Sequence, residues 1–105
     1  MQFLVEKINF ESIDYLKIRL KPELLNLANK DVLKEYIGTE IKNKNKNFIF
    51  DFSDIVTLNS SALGVLIGIL NQIKSVDGNL KFSNYSEKIK TIFEITKLNL
   101  VFDLI

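Results

Sequence analysis

Cysteine and histidine are both absent from the 105-residue chain, and their absence excludes several kinds of site. Without cysteine there is no disulfide scaffold, thiol nucleophile or thiolate zinc site. Without histidine there is no Ser–His–Asp or Cys–His catalytic group, no HExxH zinc site, and the commonest general base is missing. Carboxylate, lysine, tyrosine and hydroxyl chemistry remain, or binding alone. Of these we predict binding: a protein that is not an enzyme and that holds no metal or cofactor.

An excess of charge of either sign is also lacking. The chain has 14 Lys+Arg and 13 Asp+Glu, a net charge of +1, which predicts that neither nucleic acid nor a membrane surface is a partner. Residues 62–70 form the longest uncharged apolar run, well short of the roughly 20 residues that span a bilayer. Residues 1–6 carry no basic segment ahead of an apolar stretch, so no secretory signal is expected and a cytoplasmic location is predicted.

The remaining composition is that of one ordinary globular domain. Of the residues, 47% are hydrophobic and 26% are charged, and no repeat, linker or low-complexity tail interrupts the chain. A chain of this length buries enough surface for one core without a covalent staple. Residues 1–105 are therefore expected to form a single domain.

Alternating apolar residues predict an N-terminal hairpin. Residues 3–10 and 15–20 read as its two strands, residues 11–14 as its turn, and Pro22 as the stop after the second strand. Residues 48–50 are apolar without alternation, which predicts a central strand that is covered on both sides. Further strands are expected around residues 80–82 and 101–105.

Three segments show apolar residues at helical spacing. The first is predicted at residues 26–42, with Asn29 as its N-cap. The second is predicted at residues 60–75, with an inward stripe of Leu63, Leu66, Ile67, Leu70 and Ile73. The third is predicted at residues 86–96, with Ile89, Ile92, Phe93 and Ile95 directed inward. Strands and helices alternate after the hairpin, so the expected fold is α/β: a mixed, mostly parallel β-sheet with helices packed against it and an antiparallel N-terminal edge hairpin.

Three glycines and one polar run stand out within this pattern. Gly64 and Gly68 lie in the second helix, where each costs roughly 1 kcal/mol relative to alanine, so a close approach of a neighbouring element is expected there. Gly78, in the turn after Asp77, is expected to take a positive φ. The Lys–Asn run at residues 42–47 is interpreted as a solvated connector, with phosphate contact as the less favoured alternative.

Polar side chains gather after the 48–50 strand, at the edge of a parallel sheet where sites commonly form. Asn59, Ser60 and Ser61 precede the second helix, where short polar side chains commonly cap free N–H groups. A second interpretation is a phosphorylatable hydroxyl, since a helix N-terminus tolerates the added negative charge. A third is that Asp51 and Asp54 hold Mg²⁺ in a phosphoacceptor site, although the second strand offers no further acidic cluster.

The C-terminal half resembles the STAS domain, the bacterial anti-sigma factor antagonist fold that also occurs in sulfate transporters. The matching segments are Phe-Ile-Phe-Asp-Phe-Ser at 48–53, Ile-Val-Thr-Leu at 55–58 and Asn-Ser-Ser-Ala-Leu-Gly at 59–64. The first 46 residues match by the order of elements only. Two positions depart from the family pattern Asp-Ser-(Ser/Thr)-Gly-Leu-Gly, because Asn59 replaces Asp and Ala62 replaces Gly.

The resemblance implies a protein-binding switch. Ser60 would be phosphorylated by an anti-sigma factor kinase and dephosphorylated by a phosphatase, and the unphosphorylated form would bind the anti-sigma factor. The partner-binding residues implied are Asn59, Ser60, Ser61, Ala62 and Leu63. The alternative is a STAS-like module that binds its partner constitutively, without phosphorylation.

Overall fold

The computed structural model describes residues 3–105, and within them one sheet is flanked by three α-helices. The strands are β1 Leu4–Phe10, β2 Ile13–Arg19, β3 Asn47–Asp51, β4 Asn79–Ser83 and β5 Asp103–Leu104. The helices are α1 Lys30–Lys42, α2 Ser60–Lys74 and α3 Glu87–Ile95. Short 3₁₀ turns at Pro22–Leu25, Leu27–Asn29 and Leu98–Leu100 connect them.

The strand order is β1-β2-β3-β4-β5, and only the β1–β2 pair is antiparallel. Each strand–helix–strand connection therefore moves one place in the same direction across the sheet. Because such connections are right-handed, all three helices lie on the same face. The predicted α/β fold, a mostly parallel sheet with an antiparallel N-terminal hairpin, is confirmed.

The core lies between this face and the helices. It joins alternate residues of the strands with residues of every helix. The strand residues in it include Leu16, Ile18, Phe48, Phe50, Leu80 and Phe82, and the helix residues include Leu33, Leu66 and Phe93.

The prediction that β3 is buried on both sides is confirmed, but no helix covers its second side. Phe48 and Phe50 face the helices, whereas Ile49 points to the opposite face and is still only 1% exposed. Its cross-strand neighbours are Lys17 and Lys81. These lysine side chains are only 24% and 15% exposed, which indicates that their aliphatic stems cover Ile49.

Carboxylates hold the ends of these two stems. The Lys17 ammonium lies 3.9 Å from Glu6 and 4.0 Å from Asp51, and the Lys81 ammonium is paired with Asp103. Ile49, on the open face of the sheet, therefore lies between two lysines whose ammonium groups are held by carboxylates.

The hairpin and its stop match the prediction, with shifted ends. Glu11 and Ser12 form the two-residue turn, with φ of 51° and 67°. Strand β2 runs from Ile13 to Arg19 rather than from Tyr15 to Leu20, and Pro22 begins the 3₁₀ turn that follows. The last strand is shorter than predicted, because only Asp103–Leu104 pairs with β4.

The first helix begins later than its periodicity indicated. Leu27–Asn29 forms a 3₁₀ turn, so α1 begins at Lys30 rather than near Asn26. Asn29 occupies the N-cap position, but its side chain does not cap the helix and instead donates to the Glu23 carbonyl. The prediction of Asn29 as the cap was correct in position and wrong in mechanism.

The inward faces of the other two helices differ from the predicted stripes. In α2, Ile69 is buried while Ile67 is 36% exposed, and in α3, Ile95 is 77% exposed. The predictions for Ile67 and Ile95 were therefore wrong. Ile95 is the last residue of its helix and follows buried Phe93 by two residues, a rotation of about 200° around the helix axis, which turns its side chain away from the core.

The predictions for the glycines also need correction. A Cβ built on Gly64 or Gly68 would meet no atom within 4 Å, so neither glycine serves a close approach within the chain. Asp77, with φ of 58°, takes the left-handed conformation that had been expected of Gly78. What Gly78 supplies is space, because its own Cβ would lie 2.2 Å from the Lys46 carbonyl oxygen.

Candidate partner-binding site at the start of helix α2

The segment between β3 and α2 is held by buried apolar side chains. Phe52, Ile55 and Leu58 are at most 8% exposed, whereas Val56 between them is 74% exposed. Asp51, at the end of β3, accepts hydrogen bonds from the Ser53 N–H and hydroxyl. A loop fixed at these points presents Val56 and the start of α2 in a defined orientation.

An ion pair ties the same loop to strand β2. Arg19 donates to both carboxylate oxygens of Asp54, at 2.9 and 2.8 Å. The hydrogen bond and charge of Arg19 lower the pKa of Asp54. The two carboxylates considered for Mg²⁺ thus have protein partners, Asp54 in Arg19 and Asp51 in Ser53, and residues 3–105 contain no cluster of three acidic ligands.

Asn59 caps helix α2 with its side chain. Its Oδ1 accepts a hydrogen bond from the Ala62 N–H at 2.8 Å, which satisfies one of the free donors at the helix start. Ser60 is the first helical residue, and Ser60 and Ser61 are both exposed. Of the three residues predicted to cap the helix, Asn59 provides the cap, and the hydroxyls of Ser60 and Ser61 take no part in it.

The five predicted partner-binding residues differ in exposure. Asn59, Ser60 and Ser61 are exposed, Leu63 is half-buried, and Ala62 is 5% exposed and belongs to the core. Ala62 is helical, so alanine fits the place where the family pattern has glycine without a positive φ.

Two grooves flank this helix start. One, of about 500 Å³, runs beside the loop and is lined by Val56, Leu58 and Asn59 among others. The second, of about 370 Å³, lies between α1 and α2. Ser61 and Leu27 line both grooves, and Leu27 is 59% exposed.

Helix α2 carries no charged residue before Lys74, although 26% of the chain is charged. Its exposed positions before Lys74 are Ser60, Ser61, Gly64, Ile67, Gly68 and Asn71. Depletion of charge is typical of the centre of a protein–protein interface. The surface around Ser60 thus combines exposed apolar residues, two grooves and an uncharged helix face.

Sequence reasoning missed Leu27 and Val56 as parts of this surface. Leu27 precedes α1 by sequence but reaches the start of α2 in space. The missing charge along α2 was a signal that could have identified the face, since an exposed helix face in a soluble domain is ordinarily charged.

Asp51 gives the site an acid sensitivity. Burial raises the pKa of Asp51, but hydrogen bonds from Ser53 and Asn84 and the charge of Lys17 outweigh burial, so the pKa lies below its ordinary value. A carboxylate with a depressed folded-state pKa stabilises the fold above its unfolded pKa of about 4 and loses that contribution as the pH falls.

We expect Asp51→Asn to lower the free energy of unfolding at pH 7. Below about pH 4, the free energy of unfolding of this variant should decrease less with falling pH than that of the unmodified chain. Urea unfolding at a series of pH values measures both. Glu94→Gln, at an exposed position of α3, is the matched control. Identical acid dependence of Asp51→Asn and the unmodified chain would contradict this account of Asp51. Between pH 5 and 8 the stability should be nearly flat, because the chain has no histidine.

This geometry defines a small α/β domain with an uncharged face on α2 beside two grooves, and it was compared with known proteins. The STAS domain family model matches residues 4–105. A Thermotoga maritima protein assigned as an anti-sigma factor antagonist is 30% identical over 91 residues, 86% of this chain and 80% of that protein. The anti-sigma-B factor antagonist of Bacillus subtilis is 35% identical over 51 residues, 49% of this chain and 47% of that protein.

Solved structures of SpoIIAA have the same fold. Its unphosphorylated form has a TM-score of 0.71 and 22% identity, with 99% of this chain and 88% of that chain covered. Its phosphorylated form, from Bacillus, has a TM-score of 0.65 and 19% identity, with 99% and 91% covered. The chain belongs to the STAS domain family, among the anti-sigma factor antagonists. Proteins of this family are regulatory binding proteins.

No helix within residues 3–105 is both long enough and apolar enough to cross a membrane.

Proposed function

We propose that the protein releases a sigma factor by binding its anti-sigma factor, and that phosphorylation of Ser60 abolishes this binding. The observation that carries the proposal is the position of Ser60, which is exposed at the first residue of a capped helix that carries no charge before Lys74. The family membership of the chain and the existence of a phosphorylated structure of SpoIIAA support it.

A phosphate at Ser60 would act on binding rather than on folding. The helix N-terminus offers free N–H groups and the positive end of the helix dipole, which favour negative charge. The same phosphate adds about −1.5 to −2 charges to a face that has none, and a partner fitted to that face would have to desolvate them. The fold is thus expected to tolerate the modification while the complex does not.

The departure at Asn59 fits this scheme. The carboxamide caps α2 through Ala62 as an aspartate would, but it places no negative charge beside Ser60. A phosphate on Ser60 would therefore meet less repulsion than in chains with Asp at this position. The kinase that adds the phosphate is expected to be the anti-sigma factor itself, with a separate phosphatase to remove it.

The docking surface that we propose centres on Asn59, Ser60 and Ser61, with a contribution from the exposed edge of Leu63. Ala62 shapes the helix start from inside the core and contributes little direct contact. Leu27 and Val56 flank the serines and supply the exposed apolar area.

The test is a binding titration with the cognate anti-sigma factor, combined with phosphorylation by that protein and ATP. Ser60→Asp is expected to retain the fold and to weaken binding by about 1–3 kcal/mol, because an unneutralised charge enters the interface. Ser60→Ala should bind normally and accept no phosphate. Ser61→Ala, one position along the same helix, is the matched control and should be phosphorylated like the unmodified chain.

The constitutive module is the alternative outcome of the same experiment. Unchanged affinity of Ser60→Asp, together with the absence of phosphate on the unmodified chain by mass spectrometry, would exclude the switch. Loss of binding in Leu27→Ala or Val56→Ala under those conditions would still identify the surface as a docking site.

Gly64 allows the surface to be probed separately from the serines. Gly64 faces open space in the groove between α1 and α2, so Gly64→Ala is expected to stabilise the domain by roughly 0.5–1 kcal/mol through helix propensity. Gly64→Leu should also fold but weaken partner binding, since its side chain would fill the groove. Destabilisation by Gly64→Leu would contradict the open space at this position. Partner binding equal to that of Gly64→Ala would contradict a docking role for this groove.

A further inference from the structure

A third groove, of about 590 Å³, lies at the end of the sheet opposite Ser60. It is bounded by the β1–β2 hairpin on one side and by the connection from α1 to β3 on the other. The groove shares no residue with the two grooves around α2. Its lining residues are Lys7, Ile8, Asn9, Asp14, Tyr15, Leu16, Lys44, Asn45, Lys46 and Asn47.

Three lysines from two parts of the chain line this groove. Lys7 comes from β1, and Lys44 and Lys46 come from the Lys–Asn run after α1. Within residues 3–105, none of the three forms an ion pair. The lining thus carries three lysines and one carboxylate, that of Asp14, which is an excess of positive charge in a chain whose net charge is only +1.

The nearby carboxylates are held by asparagines rather than by these lysines. Asp14 accepts a hydrogen bond from the Asn9 side chain at 3.0 Å. Glu40 accepts from the side chains of Asn43 and Asn45, both at 3.4 Å. The asparagines of the Lys–Asn run thus occupy the neighbouring acidic group and leave Lys44 and Lys46 without a counter-ion inside the chain.

We propose that this groove binds a small anion that carries two or more phosphate groups. Lysine ammonium groups are common ligands of phosphate oxygens, and the asparagine amides beside them can donate further hydrogen bonds. The volume lies in the range of small-molecule sites, about 300–1,000 Å³. Inorganic oligophosphates and nucleoside di- and triphosphates are both anions of this kind.

The test uses the full chain and three probes: pyrophosphate, inorganic triphosphate and ATP. Isothermal titration calorimetry at low salt gives the affinities, and amide chemical shifts locate the contacts. All binding should weaken as salt is added, because the charges are exposed and screened. Shifts are expected for residues 7–9 and 44–47 and not for residues 59–64. Equal affinity for triphosphate and ATP identifies the phosphate chain as the ligand, whereas tighter binding of ATP adds a nucleoside contact.

A matched pair of triple variants separates this site from general charge. Lys7→Gln/Lys44→Gln/Lys46→Gln and Lys88→Gln/Lys90→Gln/Lys97→Gln each remove three positive charges, and each includes one lysine with a positive φ, Lys44 or Lys97. The first variant should lose at least about tenfold in affinity for triphosphate, a difference of roughly 1.4 kcal/mol, and the second should lose little. Equal losses in both variants, or dissociation constants weaker than about 1 mM for every probe, would overturn the proposal.

The variant Lys44→Asn tests whether a loss of triphosphate binding is caused by misfolding. Lys44 has φ of 70°, a conformation that asparagine adopts more readily than lysine. This variant is therefore expected to be at least as stable as the unmodified chain and yet to bind triphosphate more weakly. Undiminished binding by a stable Lys44→Asn would show that Lys44 is not part of an anion site. Because Ser60 lies at the other end of the sheet, Ser60→Asp should leave triphosphate binding unchanged whether or not the proposed switch exists.

Discussion

Replacing Phe50 by alanine is expected to lower the free energy of unfolding by about 3–5 kcal/mol. Phe50 is fully buried at the centre of the sheet, opposite Ile18 on one neighbouring strand and Phe82 on the other. Its ring stacks on that of Phe82 with centroids 5.9 Å apart. Because a domain of this size has a total stability of roughly 5–15 kcal/mol, the variant should be close to unfolding.

Urea unfolding at equilibrium measures this effect, with Ile49→Ala as the comparison. Ile49 is as buried as Phe50, but lysine stems rather than helices cover it. Flexible stems can move into a cavity more readily than packed helices, so Ile49→Ala should cost about 2 kcal/mol, the low end for such deletions. A cost below about 1 kcal/mol for Phe50→Ala would contradict the central place of β3 in the core.

Gly78→Ala is expected to have the second largest effect, about 3 kcal/mol, at the upper end of overpacking costs. The new Cβ would lie 2.2 Å from the Lys46 carbonyl oxygen and 2.7 Å from Cγ2 of Ile73. The backbone around Lys46 would have to move away, which would strain the hydrogen bond from the Asn79 N–H to that same carbonyl. The start of β4 would then pair less well with the start of β3.

Gly68→Ala is the matched control, because the same added methyl group meets no atom within 4 Å there. It should stabilise the domain by roughly 0.5–1 kcal/mol through helix propensity. The midpoints of thermal and urea unfolding should therefore fall for Gly78→Ala and rise for Gly68→Ala. A Gly78→Ala variant as stable as the unmodified chain would mean that Gly78 is not in close contact with the backbone of Lys46.

These variants also separate the scaffold from the binding surface. Phe50 and Gly78 lie away from the two grooves at the start of α2, so Gly78→Ala should affect partner binding only as far as it unfolds the chain. Ser60→Asp and Gly64→Leu, in contrast, should weaken partner binding while the fold stays intact.

Patterns within the sequence were enough to predict the order of elements, the core of the sheet and the place of Ser60 at a helix start. Strict alternation identified β2, an unbroken apolar run identified β3, and a polar Asn-Ser-Ser segment before an apolar stripe located the start of α2. Each of these signals is local, because the period of a strand or helix and the chemistry of a cap involve residues close in the chain.

Contacts between residues that are far apart in the chain became visible only in the folded protein. Glycines in a helix have the same appearance in sequence whether they face a neighbour or open space, so the expectation for Gly64 and Gly68 was wrong. The space required at Gly78 depends on Lys46, which lies 32 residues earlier and adjoins it only because β3 and β4 are paired. The grooves beside Ser61 and Lys44 likewise join elements that are distant in sequence, and the physical reason is the packing of separate elements, which periodicity does not encode.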